Sequence, residues 1–537
     1  MNPLRKRVLA GIFCYVCAAT AQAEDIAAVL RQFPGVWRSD GYGMLLGVNG
    51  TQVTLYEITE VSCLKVVSGS LTDLEEVFIS GTANKAKDEF ALTFWDYVTP
   101  VRFTREFSLP TLCMEDVASK AKDPAYNFDV LWYTYHSQYP FFDIYDTDWE
   151  KGYAEAKKTV MEANSEEAMK AAMEEVLWQM DDVHTGIETG NEVWPVVENP
   201  YKASFLREIG QRLGASYRAT AKKVLVWGRL KETVGYVYVD KMGGFTEEEL
   251  DEVFKEMQSA ATLIVDLRFN RGGGDPAAVM LGNRVTDRAM RVWEVRAKEG
   301  EHLSQPSYIT LTPGGKFRFN GKLIVLTSKK TVSAAENATM GLRSVAGAVQ
   351  IGETTKGNLS SMLTRTLPNG WKVMLPNEAW RDMEGISYEG TGIPPHISVP
   401  LNSQQDFDNH RDDGLAMALQ VAENPCSPVF NMENQRFFVP CLDATAPDGS
   451  PRAIRVTLDF TGADRWAVTR LEEGRMASAQ TCALPMPDLQ QPFWVPCIRV
   501  NQPADTTQFT ALLHTEWHVS DWQYYPHLVQ IMDVRRQ

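Results

Sequence analysis

An α/β core flanked by β-rich modules is the architecture that three features of this 537-residue sequence predict. Between residues 191 and 400, buried-strand runs alternate with amphipathic helical segments, the pattern of a sheet with right-handed crossovers. Residues 115–190 are patterned as helix, and residues 24–114 and 426–537 as short strands and turns. The predicted divisions are therefore 1–23 (leader), 24–114, 115–190, 191–425 and 426–537. A hydrophobic content of 44% is enough for packed cores.

Arg5, Lys6 and Arg7, the apolar run 8–19 and the small-x-small site Ala21-Gln22-Ala23 form a secretory signal too short to span a bilayer. Neither Cys14 nor Cys17 is preceded by the small residues of a lipoprotein site. No later stretch has the length and apolarity of a membrane span, so a soluble exported protein is expected. Losing the leader removes three positive charges and moves the net charge from −16 to −19, which argues against a nucleic-acid partner.

In residues 24–114, apolar stretches 44–48 and 53–56 around Asn49-Gly50 predict a hairpin. In the helical region, Asn164 and Glu167 form a capping signal. Met169, Ala172, Met173, Val176, Leu177 and Met180 then make one core-facing stripe. The pattern stops at Asp181-Asp182-Val183-His184-Thr185, placing His184 on a turn. Further on, strands are predicted at 234–239, 263–267, 323–326 and 349–351, and helices at 247–257, from about 277 and from 334.

The tail repeats itself. Cys426 and Cys441 are 15 residues apart, as are Cys482 and Cys497, and Phe437-Phe438-Val439-Pro440-Cys441 is echoed 56 residues later by Phe493-Trp494-Val495-Pro496-Cys497. Two copies of a β-rich unit follow, each closed by its own bridge, with Cys63 pairing Cys113.

Four blocks carry the chemistry. Asp266-Leu267-Arg268-Phe269-Asn270-Arg271-Gly272-Gly273-Gly274 ends one buried strand. Ser333-Ala334-Ala335-Glu336 follows another, where a serine heads a helix and the next N–H groups lack partners. Such a serine is also an ordinary N-cap. Gly352-Glu353-Thr354-Thr355-Lys356-Gly357 and Glu389-Gly390-Thr391-Gly392-Ile393-Pro394-Pro395 complete the set.

In this order and at these separations the blocks resemble the tail-specific (C-terminal processing) serine proteases, the tricorn core and the related retinoid-binding repeats. The resemblance covers about residues 125–420. It implies a crotonase- or Clp-protease-like core and a serine-type peptidase acting on a polypeptide without metal or organic cofactor. Only about 40 residues separate His184 from the strand at Val224, too few for the PDZ domain many relatives insert there.

A serine hydroxyl needs a base. The tail-specific branch uses a lysine at the position of Asn358, and an amide cannot accept the proton. Lys356 lies two residues earlier and leaves a rearranged Ser–Lys dyad as an alternative. The tricorn-like branch uses a histidine and a glutamate, and His184 and Glu389 stand at matching positions. The resemblance thus implies Ser333 as nucleophile, His184 as general base and Glu389 as orienting acid. Asp382 and Glu384 are nearby carboxylates expected to be exposed. Gly272, Gly273 and Ala334 are the oxyanion-hole candidates, with the donating glycine left open.

His396 replaces the aspartate of the family's Pro-Asp ending, a change in a structural contact. His514 and His518 lack a third ligand, so no metal site is assigned. Sequons at Asn337 and Asn358 fall inside the blocks, where a glycan would obstruct, which favours a Gram-negative periplasm over a eukaryotic secretory route. The alternative function is a binding protein with a vestigial site. The terminal β modules are left to packing or to a protein partner.

Overall fold

The structure, a computed structural model, describes residues 25–190, 201–345 and 348–423 with their side chains, and the backbone of the strands between 429 and 536. The leader lies outside the described residues. Seven antiparallel strands form the first sheet, running from Cys63–Ser70 through Gln52–Ile58, Met44–Asn49, Gly35–Ser39, Pro100–Glu106 and Glu89–Phe94 to Phe78–Ala83. Cys63 is bridged to Cys113. The buried aromatic rings of Phe33, Trp37, Phe90 and Phe103 pack on one face.

This sheet is joined to the rest of the chain through buried polar contacts. The Arg365 guanidinium is almost fully buried, bonds the Tyr42 carbonyl and Gln138 Oε1, and pairs with Glu57. The Tyr42 hydroxyl donates to Glu378 at 2.5 Å. Breaking such contacts would strand buried charges, so the module is built into the fold.

Three helices follow at Pro124–Gln138, Tyr153–Glu162 and Glu166–Leu177. The third is capped by Ser165, whose hydroxyl accepts the Ala168 N–H at 3.1 Å, one residue later than the expected Asn164. Ser165 has the extended backbone (φ −150°, ψ 164°) that aims an N-cap oxygen at the first turn. Met169, Met173, Val176, Leu177 and Met180 are buried as one stripe.

The central sheet has seven strands: β1 (Arg218–Ala219), β2 (Leu225–Lys231), β3 (Val234–Val239), β4 (Thr262–Asp266), β5 (Lys322–Thr327), β6 (Val349–Gly352) and β7 (Ile397–Ser398). They lie side by side in chain order. The pairs from β3 to β7 are parallel, and β1–β3 are antiparallel. Helix α1 (Glu247–Met257) links β3 to β4, α2 (Asp275–Asn283) follows β4, and α3 (Ala334–Ser344) links β5 to β6. Every residue of β3 and β4 is buried, as a sheet covered on both faces requires. Strand β4 pairs β5 residue for residue, Thr262 with Lys322 through Asp266 with Leu326. Their carboxyl ends therefore lie together, the usual place for a site in a parallel sheet.

A smaller sheet carries the His184 turn. Strand Gly186–Glu188, directly after the turn, pairs with Lys372–Pro376, which pairs with Met362–Thr366. In the tail, strands Arg436–Thr445, Pro451–Gly462 and Arg465–Gly474 form one antiparallel meander. Phe493–Val500, Gln508–Ser520 and Gln523–Arg536 form a second, in the same sheet. The first strand of each is irregular at matching places, between Val439 and Leu442 and between Val495 and Ile498. Pro440 and Pro496, which cannot donate to a ladder, sit in these bulges. The expected tail bridges require Cys426 and Cys482, which lie outside the described residues. Among the described residues no helix is long and apolar enough to cross a membrane.

Candidate active site

Strand β5 delivers the chain to Ser333, which has φ 60° and ψ −132°, and α3 starts at the next residue. A non-glycine residue with positive φ is strained and persists only where its surroundings fix it. Here the Ser333 N–H donates to the Asn358 carbonyl at 3.0 Å and to Glu336 Oε2 at 3.1 Å. The fully buried Glu336 carboxylate also accepts the Thr355 hydroxyl (2.6 Å) and the N–H groups of Gly357 (2.7 Å) and Asn358 (2.9 Å). One carboxylate thus clamps the serine turn to the loop at 355–358.

The glycine turn after β4 lies against this serine. A Cβ on Gly272 would come within 2.7 Å of Ser333 Cβ, and one on Gly273 within 1.9 Å of the Met242 carbonyl oxygen. With φ of 91° and 139°, both positions call for glycine. The Gly272 N–H is already donated to Asn270 Oδ1 at 2.9 Å. Among the described residues the N–H groups of Gly273 and Ala334 have no hydrogen-bond partner.

His184 is buried on its turn, and its N–H donates to Asp182 Oδ1 at 3.0 Å. Its Nδ1 is buried without a partner among the described residues. Burial holds the imidazole below its ordinary pKa, with the Asp182 charge opposing that shift. Asp182 also accepts the Tyr139 hydroxyl (2.9 Å) and Asn358 Nδ2 (3.2 Å). Asn358 therefore holds the serine turn with its carbonyl and the histidine turn with its amide, which also donates to the Tyr145 hydroxyl at 2.9 Å.

Among the described residues no hydrogen bond joins His184 to Ser333 or to Glu389. Glu389 is buried, and its Oε2 accepts the N–H groups of Leu359 (2.9 Å) and Ser360 (3.3 Å). Its Oε1 is buried without a partner among the described residues. Burial pushes this carboxyl well above the usual range, and Asp182 and Glu336 add to the push. Lys356 reaches outward, its Nζ 3.9 Å from the exposed Asp181 carboxylate.

Sequence reasoning missed Asp182 and Asp275. Asp275, at the start of α2, accepts Asn337 Nδ2 at 2.9 Å and the Ser361 hydroxyl at 3.0 Å. Burial pushes its carboxyl from 3.8 to about 7. A carboxyl whose folded pKa is raised favours folding while protonated, and that contribution is lost as pH rises through about 7. Asp275→Asn is therefore expected to flatten the decline in unfolding free energy between about pH 4 and 8, measured by denaturant titration. An unchanged slope would assign the decline to other groups.

Asp382, expected to be exposed, is buried: it accepts the N–H groups of Glu384 and Ile386 and the Tyr388 hydroxyl, closing the turn before Glu389. His396 makes a structural contact, its Nδ1 accepting the Gln350 N–H at 2.9 Å. Asn337 and Asn358 are each 1% exposed, so neither can carry a glycan in the folded chain. Among the described residues no cluster of three His, Cys, Asp or Glu side chains could hold a metal.

Residues 233–399 match the family model described as peptidase family S41. The carboxy-terminal processing protease CtpA of Bacillus subtilis is 25% identical over 187 residues, covering 34% of this chain and 39% of that protein. The tricorn protease of Thermoplasma acidophilum is 25% identical over 203 residues, covering 37% of this chain and 18% of that protein. The chain thus spans about two fifths or less of the length of these curated relatives. A putative peptidase from Parabacteroides merdae aligns in structure with a TM-score of 0.49 at 24% identity, covering 56% of this chain and 96% of that one. The strained Ser333 turn, the glycine turn against it and the Glu389 block all lie inside the segment that matches the peptidase family S41 model.

Proposed function

We propose that the chain is an exported serine peptidase in which Ser333 is the nucleophile and His184 the general base. Ser333 Oγ attacks the carbonyl carbon of a peptide bond while His184 takes its proton. The oxyanion is received by the N–H groups of Gly273 and Ala334, and His184 returns the proton to the leaving amine. Water then hydrolyses the acyl-enzyme by the same route. Glu389, expected as the third member of the set, is braced on the backbone of Leu359 and Ser360. The observation that carries this reading is the strained Ser333 beside two N–H groups without partners. Catalytic hydrogen bonds often close only when substrate binds, which accommodates the open Ser333–His184 pair.

In this reading residues 191–425 are a crotonase-like catalytic core, the helices of 115–190 present the base, and the first sheet braces both. The two-meander tail is the part left for a protein partner, and the periplasm of a Gram-negative bacterium is the setting. The missing Ser333–His184 hydrogen bond favours a second reading, a binding protein with a vestigial site.

A fluorophosphonate probe separates the two. The mature protein is expected to be labelled, and Ser333→Ala to abolish labelling. Equal labelling of the variant would sink the nucleophile assignment, and an unlabelled parent protein would favour the binding protein.

A further inference from the structure

We propose that Asp182, not Glu389, supplies the negative charge that stabilises protonated His184, while Glu389 holds the backbone after Asn358. This rests on the Ser333–His184 reading. Asp182 lies in the same turn as the base, and its Oδ1 accepts the main-chain N–H of His184, which holds the carboxylate two residues from the imidazole. Three elements converge on its carboxylate with a donor each: the His184 turn, Tyr139 just beyond the helix Pro124–Gln138, and Asn358. Glu389 has only the two backbone donors on Oε2, while its Oε1 has none among the described residues.

The two carboxyls act on each other in a buried site, where a second negative charge is costly. Their neighbours decide which one keeps the charge. Burial raises the Asp182 carboxyl too, but His184, its hydrogen-bond donors and Lys356 oppose that shift, whereas Glu389 is pushed well above the usual range by burial, with Asp182 and Glu336 adding to the push. The remaining groups, the hydroxyls of Tyr135, Tyr139 and Tyr145, are held neutral by burial and the nearby acids. Asn358 fits this assignment. Standing where the resemblance expects lysine, it donates to Asp182 without neutralising it.

The test is the pH dependence of fluorophosphonate labelling in the full mature chain. In that reaction Ser333 Oγ bonds to phosphorus, fluoride leaves and His184 takes the serine proton. Asp182→Asn keeps an oxygen for the His184 N–H and removes only the charge. It is expected to slow labelling roughly tenfold or more at pH 7, the scale of one charge interaction in a buried site. The acid limb should move to lower pH, because the imidazole loses the charge that raises its pKa. Glu389→Gln should leave the limb in place.

NMR titration of the His184 ring in the Ser333→Ala background reads the same shift without turnover. A limb that moves with Glu389→Gln, or that stays put with a folded Asp182→Asn, overturns the proposal. Should Asp182→Asn not fold, Glu389→Gln alone decides it. Failure of the underlying reading looks different, since Ser333→Ala would then still be labelled.

Discussion

His184→Ala is expected to lower turnover by roughly a hundredfold or more, the usual loss on removing a general base. The alternative base is Lys356, whose ammonium reaches outward to the exposed Asp181, so Lys356→Ala should be mild. Asn358→Lys should not improve activity. It would put an ammonium where the amide now bridges Tyr145 and Asp182, and a salt bridge to Asp182 would hold it protonated. Glu389→Gln should cost less than His184→Ala, because this carboxyl touches backbone and not the base.

The pH profile supplies an independent reading. The base works only when neutral, and burial lowers the His184 pKa. Activity should therefore rise with pH through a midpoint below the ordinary histidine value of about 6.5. A desolvated lysine would place that rise higher. If Lys356→Ala is as inactive as Ser333→Ala while His184→Ala still turns over, a rearranged Ser–Lys dyad is correct and the histidine assignment is wrong.

The four middle strands of the central sheet were legible because they are largely apolar runs, and the helix before the second of them because it is strongly capped. Thr246 and Glu249 form a complete capping box on the helix Glu247–Met257, where the sequence places it. The motif blocks were legible for another reason: their residues bind one another. Arg268 is buried between Asp266 and Asp412, and Asn270 holds the glycine turn from within. Glu336 meets Thr355 and Gly357, and Thr355 accepts the Ile393 N–H at 2.7 Å. Fixed spacing is thus the imprint of a single hydrogen-bonded cluster.

What stayed hidden depends on direction and distance. Asp181 and Asp182 are adjacent carboxylates, but only the second turns inward, and no periodicity distinguishes them outside a helix. Gly272 and Gly273 look alike in sequence, yet Asn270 occupies the N–H of one of them. The bonds from Tyr42 and Glu57 to Glu378 and Arg365 cross some 300 residues, beyond any local pattern. The buried polar contacts that tie the module at 24–114 to the rest of the chain therefore leave no mark in its own sequence.

Glu336→Ala is expected to destabilise the fold by about 3–5 kcal/mol, the scale of leaving several buried neutral donors without an acceptor. Four donors now converge on this carboxylate: the Thr355 hydroxyl and the N–H groups of Gly357, Asn358 and Ser333. Alanine leaves three of them without this acceptor in a site sealed from water, and the Ser333 N–H with only the Asn358 carbonyl; buried unsatisfied donors are costly. The same change loosens the hold on the strained φ of Ser333, since one of the two acceptors of its N–H is gone and the loop that carries the other loses its clamp. Labelling of Ser333 should therefore fall with stability. Glu336→Gln should recover only part of the loss, because either orientation of its amide points NH₂ at one or two N–H donors. Denaturant unfolding checks the stability change and labelling at 10 °C checks the site. A folded Glu336→Ala protein within about 1 kcal/mol of the parent, the scale of an ordinary point substitution, would show that the serine turn and the loop at 355–358 are held together by something other than this carboxylate.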